Sequence, residues 1–286
     1  MSHANLPVQR DDVIAITRQA GQLTVELQQQ GLRAIRTKAN AYDLVTEADV
    51  ASEKLLREKL TALDPAIGFW GEESNQPPYS ELYWLVDPID GTTNYASGVP
   101  WWAVNVTLYQ RTDALLAVTL HLPYGEIFWA EVGGGAWRGW ADGRVEQMRV
   151  NGAESLGAGI LGTGFPYSRG DGTDDNRAEH NRLLPLCRDI RRMGSAAIDL
   201  AHVAAGIFSA FWEVTLNPWD VGAGLLLVHE AGGIVTDYAG NPYAFGADGL
   251  VASNGRAGVH GALLTNIRAA RGERISPSKA DADQSD

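Results

Sequence analysis

The sequence holds one cysteine, Cys187, among its 286 residues. A single thiol closes no internal disulfide and builds no thiolate zinc site, so both are excluded. A chain this long buries a substantial core without such staples. No apolar run approaches the roughly 20 residues of a membrane-spanning helix, and the opening MSHANLPVQRDD has no signal-peptide core. The expectation is a protein that stays where it is made, in the cytoplasm, away from membranes. Positive charge is scarce as well: 23 Lys and Arg face 35 Asp and Glu, a formal net charge of −12. Such a surface repels nucleic-acid backbones, so direct nucleic-acid binding is not expected. A protein this acidic needs a local source of positive charge to handle an anionic substrate, and metal ions are one such source.

Several catalytic signatures are missing too. There is no G-x-x-x-x-G-K-[ST] phosphate loop and no G-x-S-x-G elbow. The six histidines, at 3, 121, 180, 202, 229 and 260, show no zinc spacing. Gly162-Thr163-Gly164 is only a fragment of a dinucleotide fingerprint, and Cys187, in Leu186-Cys187-Arg188, has no evident activating context.

Periodicity organises what is present. Val13, Ile16, Ala20, Leu23 and Leu27 recur at helical spacing. A second helix is expected to start near Thr46, where Thr46 and Asp49 form a capping pair. Tyr83–Val86 reads as a short buried strand ending at Asp87-Pro88, and residues 101–150 read as an antiparallel meander. Beyond 151, helices are expected at 196–206 and 221–230, and strands at 207–213 and 234–236. The reading divides the chain into an N-terminal α+β region (1–150), a C-terminal α/β region (151–270) and a loose polar tail (271–286).

Carboxylates cluster in three blocks. In Trp84–Asn94 a buried strand delivers Asp87, and Asp90 follows three residues later, so both acids reach one small volume. Gly91 lets backbone approach a ligand, and a helix starting at Thr92 would offer N–H groups to a phosphate. Two acids beside a phosphate turn repel it unless divalent cations lie between them. Gly71-Glu72-Glu73-Ser74 supplies adjacent acids, of which one can face a metal. Asn217-Pro218-Trp219-Asp220 places Asp220 at a helix start, where an N-cap role is compatible with metal ligation. Gly222-Ala223-Gly224 would let that helix pack closely. Oxygen-only donors fit a hard cation, and magnesium best.

These blocks, together with Asp43–Asp49, Gly164-Phe165-Pro166, Arg191–Ala197 and Glu230–Gly233, resemble the inositol monophosphatase family, and Arg191–Gly206 resembles its bacterial branch. The resemblance implies an α+β or α/β fold, a layered α-β-α-β-α sandwich of the sugar-phosphatase type, usually a homodimer, with lithium-sensitive magnesium catalysis and two to three ions. It implies that Glu72, Asp87 and the Ile89 carbonyl hold a first ion and Asp87, Asp90 and Asp220 a second. Thr92, supported by Asp49, would orient the attacking water, with Glu72 assisting. Gly91, Thr92 and Lys38 would bind phosphate. Arg191, Gly194, Ser195, Ala196, Glu213 and Asp220 would line the substrate pocket. Asp199 and His202, on the next helix, are read as packing or surface residues.

The implied reaction is hydrolysis of a small sugar or polyol phosphomonoester, inositol monophosphate foremost. Fructose 1,6-bisphosphate, histidinol phosphate and adenosine 3′,5′-bisphosphate are the substrates of relatives on this fold. A regulatory protein partnering the transcription machinery is the reading from another class. A metal-dependent nuclease also fits clustered acids, and the net charge disfavours it.

Overall fold

The computed structural model describes residues 6–31, 35–37, 44–168 and 174–275. Helix α1 (Arg10–Gln29) buries Val13, Ile16 and Ala20 as their spacing predicts, and the stripe then drifts to Gly21 and Thr24. A side chain at Gly21 would stand 2.6 Å from Leu120, so the glycine lets the helix lie directly on the sheet below. Strands β1 (Ile35–Thr37) and β2 (Leu44–Thr46) form an antiparallel pair. They lead into α2 (Glu47–Leu63), where Thr46 and Asp49 make the expected capping box.

Strands β3 (Gly68–Gly71) and β4 (Leu82–Asp90) follow, then the short helix α3 (Thr92–Ala96). Next come β5 (Ala103–Gln110), β6 (Asp113–His121), β7 (Glu126–Glu131), β8 (Gly135–Trp140) and β9 (Val145–Gln147). All seven strands from β3 to β9 form one sheet in sequence order, and β5–β9 are the antiparallel meander read from residues 101–150. β3 runs parallel to β4, and the later pairs are antiparallel. One boundary differs from the sequence reading. β4 does not stop at Asp87-Pro88 but reaches Asp90, with its register against β5 shifting between Asp87 and Asp90. Pro88 has no N–H to give the ladder, so the strand slips there rather than ending.

The second half contributes β10 (Ile160–Thr163), α4 (Arg177–Leu183), β11 (Asp189–Arg191), α5 (Ala196–Ala204) and β12 (Ala210–Glu213). It continues with α6 (Pro218–Glu230), β13 (Ile234–Thr236), β14 (Leu250–Ser253) and α7 (Ala262–Ile275). Five strands make a mixed sheet in the order β11-β10-β12-β14-β13. The expected strand at 207 begins three residues late, because Gly206 turns the chain with φ +71°. The helix expected from Val221 begins at Pro218, whose fixed φ and missing N–H suit a first helical position. The loose tail expected from Arg271 is helical through Ile275. Arg271 is held there by Asp174, Glu179 and, at 2.8 Å, Asp248.

The layers follow from which faces are apolar. α1 and α2 cover one face of the seven-stranded sheet through Leu56, Leu60, Trp84 and Val106. α5 and α6 lie between the sheets, with Leu200 and Leu227 packed against Phe128 and Phe211. α4 and α7 cover the far face of the five-stranded sheet through Leu183, Leu263 and Trp212. The result is an α-β-α-β-α sandwich of mixed sheets flanked by helices. Among the described residues no helix is long and apolar enough to cross a membrane.

Candidate active site

Helix α6 sits close because its first turn is small. A side chain at Gly222 would lie 2.7 Å from Leu85 of β4, and Tyr109 donates a 3.2 Å hydrogen bond to the Gly222 carbonyl. Trp219 packs with Tyr83, Leu85 and Tyr109, which fixes the neighbouring Asp220 over the end of β4. Asp220 Oδ2 accepts the Asn217 N–H at 2.7 Å in a second capping box. Asp220 is thus the third residue of its helix, not the N-cap, and its carboxylate has capacity left for a ligand.

The register shift in β4 brings Asp87 and Asp90 to the same place. Asp87 Oδ1 accepts the Ile89 N–H at 3.0 Å. Asp90 Oδ2 accepts Ser195 Oγ at 2.6 Å and the Ala197 N–H at 2.7 Å, so the start of α5 seats it. One carboxylate oxygen each from Asp87, Asp90 and Asp220 lies within 4.8 Å of the others. Glu72 joins them: its N–H bonds the Val86 carbonyl at 3.1 Å, and its carboxyl hydrogen-bonds Asp87. The loop is wrapped on Glu53, which accepts the N–H groups of Glu73 and Ser74 at 2.7 and 3.1 Å. A side chain at Gly71 would collide with that Glu53 carboxyl.

So many acids at such range resist giving up their protons. Burial pushes Asp87 well above the usual carboxylate range, and the charges of Glu72, Asp90 and Asp220 push it further. Asp220 rises for the same reasons, burial first and then Asp90 and Glu72. Asp90 is raised to about 6 by burial, against the lowering effect of its hydrogen bonds from α5. A nest of oxygens that resists ionisation this strongly suits hard divalent cations, which supply the missing positive charge.

Beside the nest, Asp49 caps its helix and reaches Thr92 as well. Its Oδ2 accepts the Thr46 N–H at 2.7 Å, and its Oδ1 accepts Thr92 Oγ1 at 3.1 Å. Thr92 Oγ1 also lies 3.1 Å from the Ile89 carbonyl, the backbone oxygen expected to face a metal. Gly91 begins α3 at φ +95°, and a side chain there would meet the carbonyls of Gly194 and Trp101 at 3.0 and 3.1 Å. Only glycine serves both demands. Asn94 ties the same turn to the second half of the chain, donating to Trp101 O at 2.7 Å and Met193 O at 2.8 Å.

Glu72, Asp87, Asp90, Asp220 and the Gly91–Thr92 turn open into one cavity of about 310 Å³, which Gly194, Ser195, Ala196 and Glu213 also line. Glu213 ends β12 against Gly164, where a side chain would strike its carboxyl. Burial raises Glu213 to about 8, with Arg192 opposing and Asp90 adding to the shift. Two expectations change. Arg191 is exposed and paired with Asp189 at 2.5 Å, and it is the next residue, Arg192, that lines the cavity. Arg191 closes β11 opposite Gly162, so its successor takes the turn toward the site. Asp199 is neither surface nor packing filler but a buried part of the cavity wall. Its place was signalled by spacing: it follows Ser195 by four residues, one helical turn along the same face. Lys38 lies outside the described residues.

The sequence profile described as "Inositol monophosphatase family" matches residues 7–275. A Caulobacter vibrioides protein named "Inositol-1-monophosphatase" is 37% identical over 239 residues, 82% of this chain and 91% of its own. A Pseudomonas aeruginosa protein named "Nus factor SuhB" is 38% identical, covering 80% of this chain and 84% of its own. Among solved structures, a Thermotoga maritima IMPase superposes with TM-score 0.82 at 28% identity, covering 92% of this chain and 98% of that one.

Proposed function

The chain belongs to the inositol monophosphatase family, and from that membership we propose that it hydrolyses inositol 1-phosphate or a close polyol phosphate with magnesium at the acidic nest. As a member, it is a phosphoric monoester hydrolase of a metal-dependent family. The observation that carries the reading is the meeting of Asp87, Asp90 and Asp220 oxygens within 4.8 Å, next to the Gly91–Thr92 turn.

Glu72, Asp87, Asp90, Asp220 and the Ile89 carbonyl would hold two to three divalent cations. When bound, these neutralise the carboxylates, draw in the phosphate oxygens and acidify water. The remaining chemistry belongs to the chain. Thr92 Oγ1, with Asp49 Oδ1 behind it, orients the attacking water and takes up its proton. The N–H groups of the Gly91–Thr92 turn donate to phosphoryl oxygens, which spreads the charge building there. A bond forms from phosphorus to the water oxygen while the bond to the alcohol oxygen breaks. The alcohol oxygen leaves beside Asp220, taking a proton from water there, and Glu213 accepts hydrogen bonds from the other hydroxyls.

The test is phosphate release from a panel of phosphomonoesters, with magnesium and with a chelator. The expected result is magnesium-dependent release, fastest with inositol 1-phosphate. No release from any ester would overturn the reading. Inhibition by lithium, a homodimer in solution and a cytoplasmic location belong to the same proposal. The likeness to proteins named Nus factor SuhB favours a second role, partnership with the transcription machinery. Partners that co-purify equally with the Asp87→Asn chain would support that role as separate from turnover.

A further inference from the structure

The wall of the cavity contains a carboxyl with no partner of its own. Asp199 lies one turn into α5, its N–H bonded to the Ser195 carbonyl at 3.1 Å, on the same face as the Ser195 hydroxyl that seats Asp90. The residue is 1% exposed, and its Oδ1 has no hydrogen-bond partner. A buried oxygen left unsatisfied in this way is costly, and native proteins seldom keep one without a use. The rest of α5 shows what packing alone would select. Apart from His202, every other helix residue from Ala196 to Ala204 is apolar and buried. An apolar side chain at 199 would fill the same helix face without the desolvation cost.

The neighbours give the carboxyl its use. The charges of Glu213, Asp90 and Arg192 all reach it, and all three residues line the same cavity. Asp90 belongs to the nest that takes the phosphate. Asp199, Glu213 and Arg192 therefore stand where the alcohol part of the ester must lie. Two carboxyls and one guanidinium match a run of hydroxyls, since each hydroxyl both donates to a carboxyl and accepts from a guanidinium.

We infer that Asp199 is a specificity-determining residue that binds a second hydroxyl of the alcohol, beside the one taken by Glu213. The substrate class is thereby narrowed to phosphate monoesters of alcohols bearing at least two further hydroxyls near the ester carbon. The inference rests on the proposed function and deepens it. A site built to hydrogen-bond a hydroxyl discriminates strongly against analogues that lack it, because the buried group is then left unpaired.

The experiment measures kcat/KM for wild type, Asp199→Ala and Asp199→Asn. The substrates are inositol 1-phosphate, its monodeoxy analogues and phenyl phosphate, whose alcohol carries no other hydroxyl. The preference for inositol 1-phosphate over phenyl phosphate should fall at least about tenfold in Asp199→Ala, chiefly through KM. It should be partly restored in Asp199→Asn, which keeps one acceptor oxygen. One deoxy position that costs wild type about tenfold should cost Asp199→Ala nothing more, the signature of a lost contact. Merely structural damage lowers every substrate by one factor, and that result, or an unaltered preference, would overturn the inference. Should Asp199→Ala fail to fold, the same deoxy comparison between wild type and Asp199→Asn decides. Wild-type turnover without any coupled deoxy position sinks this inference alone. A wild type that hydrolyses no ester sinks the proposed function with it.

Discussion

Stripping divalent cations should make the folded chain progressively less stable between pH 6.5 and 8. In that window Glu213 still holds its proton when folded, because burial raises it to about 8, and burial moves Asp87 and Asp220 in the same direction. The unfolded chain has released those protons by about pH 4 to 4.5. Their stabilising contribution is complete below that pH and is lost as pH rises toward the folded value. Each such proton costs about 1.4 kcal/mol per pH unit, so roughly 2 kcal/mol across the window. Below pH 6.5 the trend is weaker. Burial lowers His202 to about 4, so its unfolded form takes a proton first and offsets the share of one carboxyl there. For a chain of this size, 2 kcal/mol corresponds to roughly 4–8 °C in Tm per proton. Thermal melts followed by circular dichroism, in chelator and in saturating magnesium, measure it. Magnesium should remove the share owed to Asp87 and Asp220 and leave that of Glu213, which Glu213→Gln then removes. A chelated protein whose Tm is flat or rising from pH 6.5 to 8 would refute the packing of acids described above.

Thr92→Val removes the hydroxyl between Asp49 and the Ile89 carbonyl without changing side-chain shape much. It should lower kcat by about 10² or more with little change in metal affinity measured by calorimetry. Asp49→Asn should lower kcat comparably and also cost about 1 kcal/mol of stability, read from urea melts, through the damaged cap on α2. Glu213→Gln should act mainly on KM for inositol 1-phosphate, and an unchanged KM would remove Glu213 from substrate recognition. Gly222→Ala forces a methyl to 2.7 Å from Leu85 and should destabilise by about 1–3 kcal/mol in the same melts.

Much of this site is legible in the sequence because its local geometry and its chemistry use the same residues. Thr46 and Asp49 announce a helix start, and the second oxygen of Asp49 reaches Thr92. Asp87-x-x-Asp90 is visible as a pair. What escapes is that Pro88 makes the strand slip rather than stop, since sequence spacing does not reveal which partner strand absorbs the shift. The meander was readable from alternation, whereas β12 and α6 moved by three residues, because a glycine turn and a proline start outweigh hydrophobic periodicity at their edges. Arg191 and Arg192 are adjacent and chemically alike. Only the register of β11 decides which one turns inward. Asp199 is marked only by its spacing of four residues from Ser195, because the rest of its helix is apolar apart from His202.

The central claim is that distant acids meet to hold divalent cations that expose a phosphate ester to water. Phosphate release from inositol 1-phosphate by wild type and Asp90→Asn, in metal-controlled buffer, tests it most directly. The account predicts that wild-type release requires magnesium, and that Asp90→Asn releases roughly a hundredfold less or below while melting as a folded protein. Near wild-type release by Asp90→Asn, or wild-type release that a chelator leaves untouched, would contradict it.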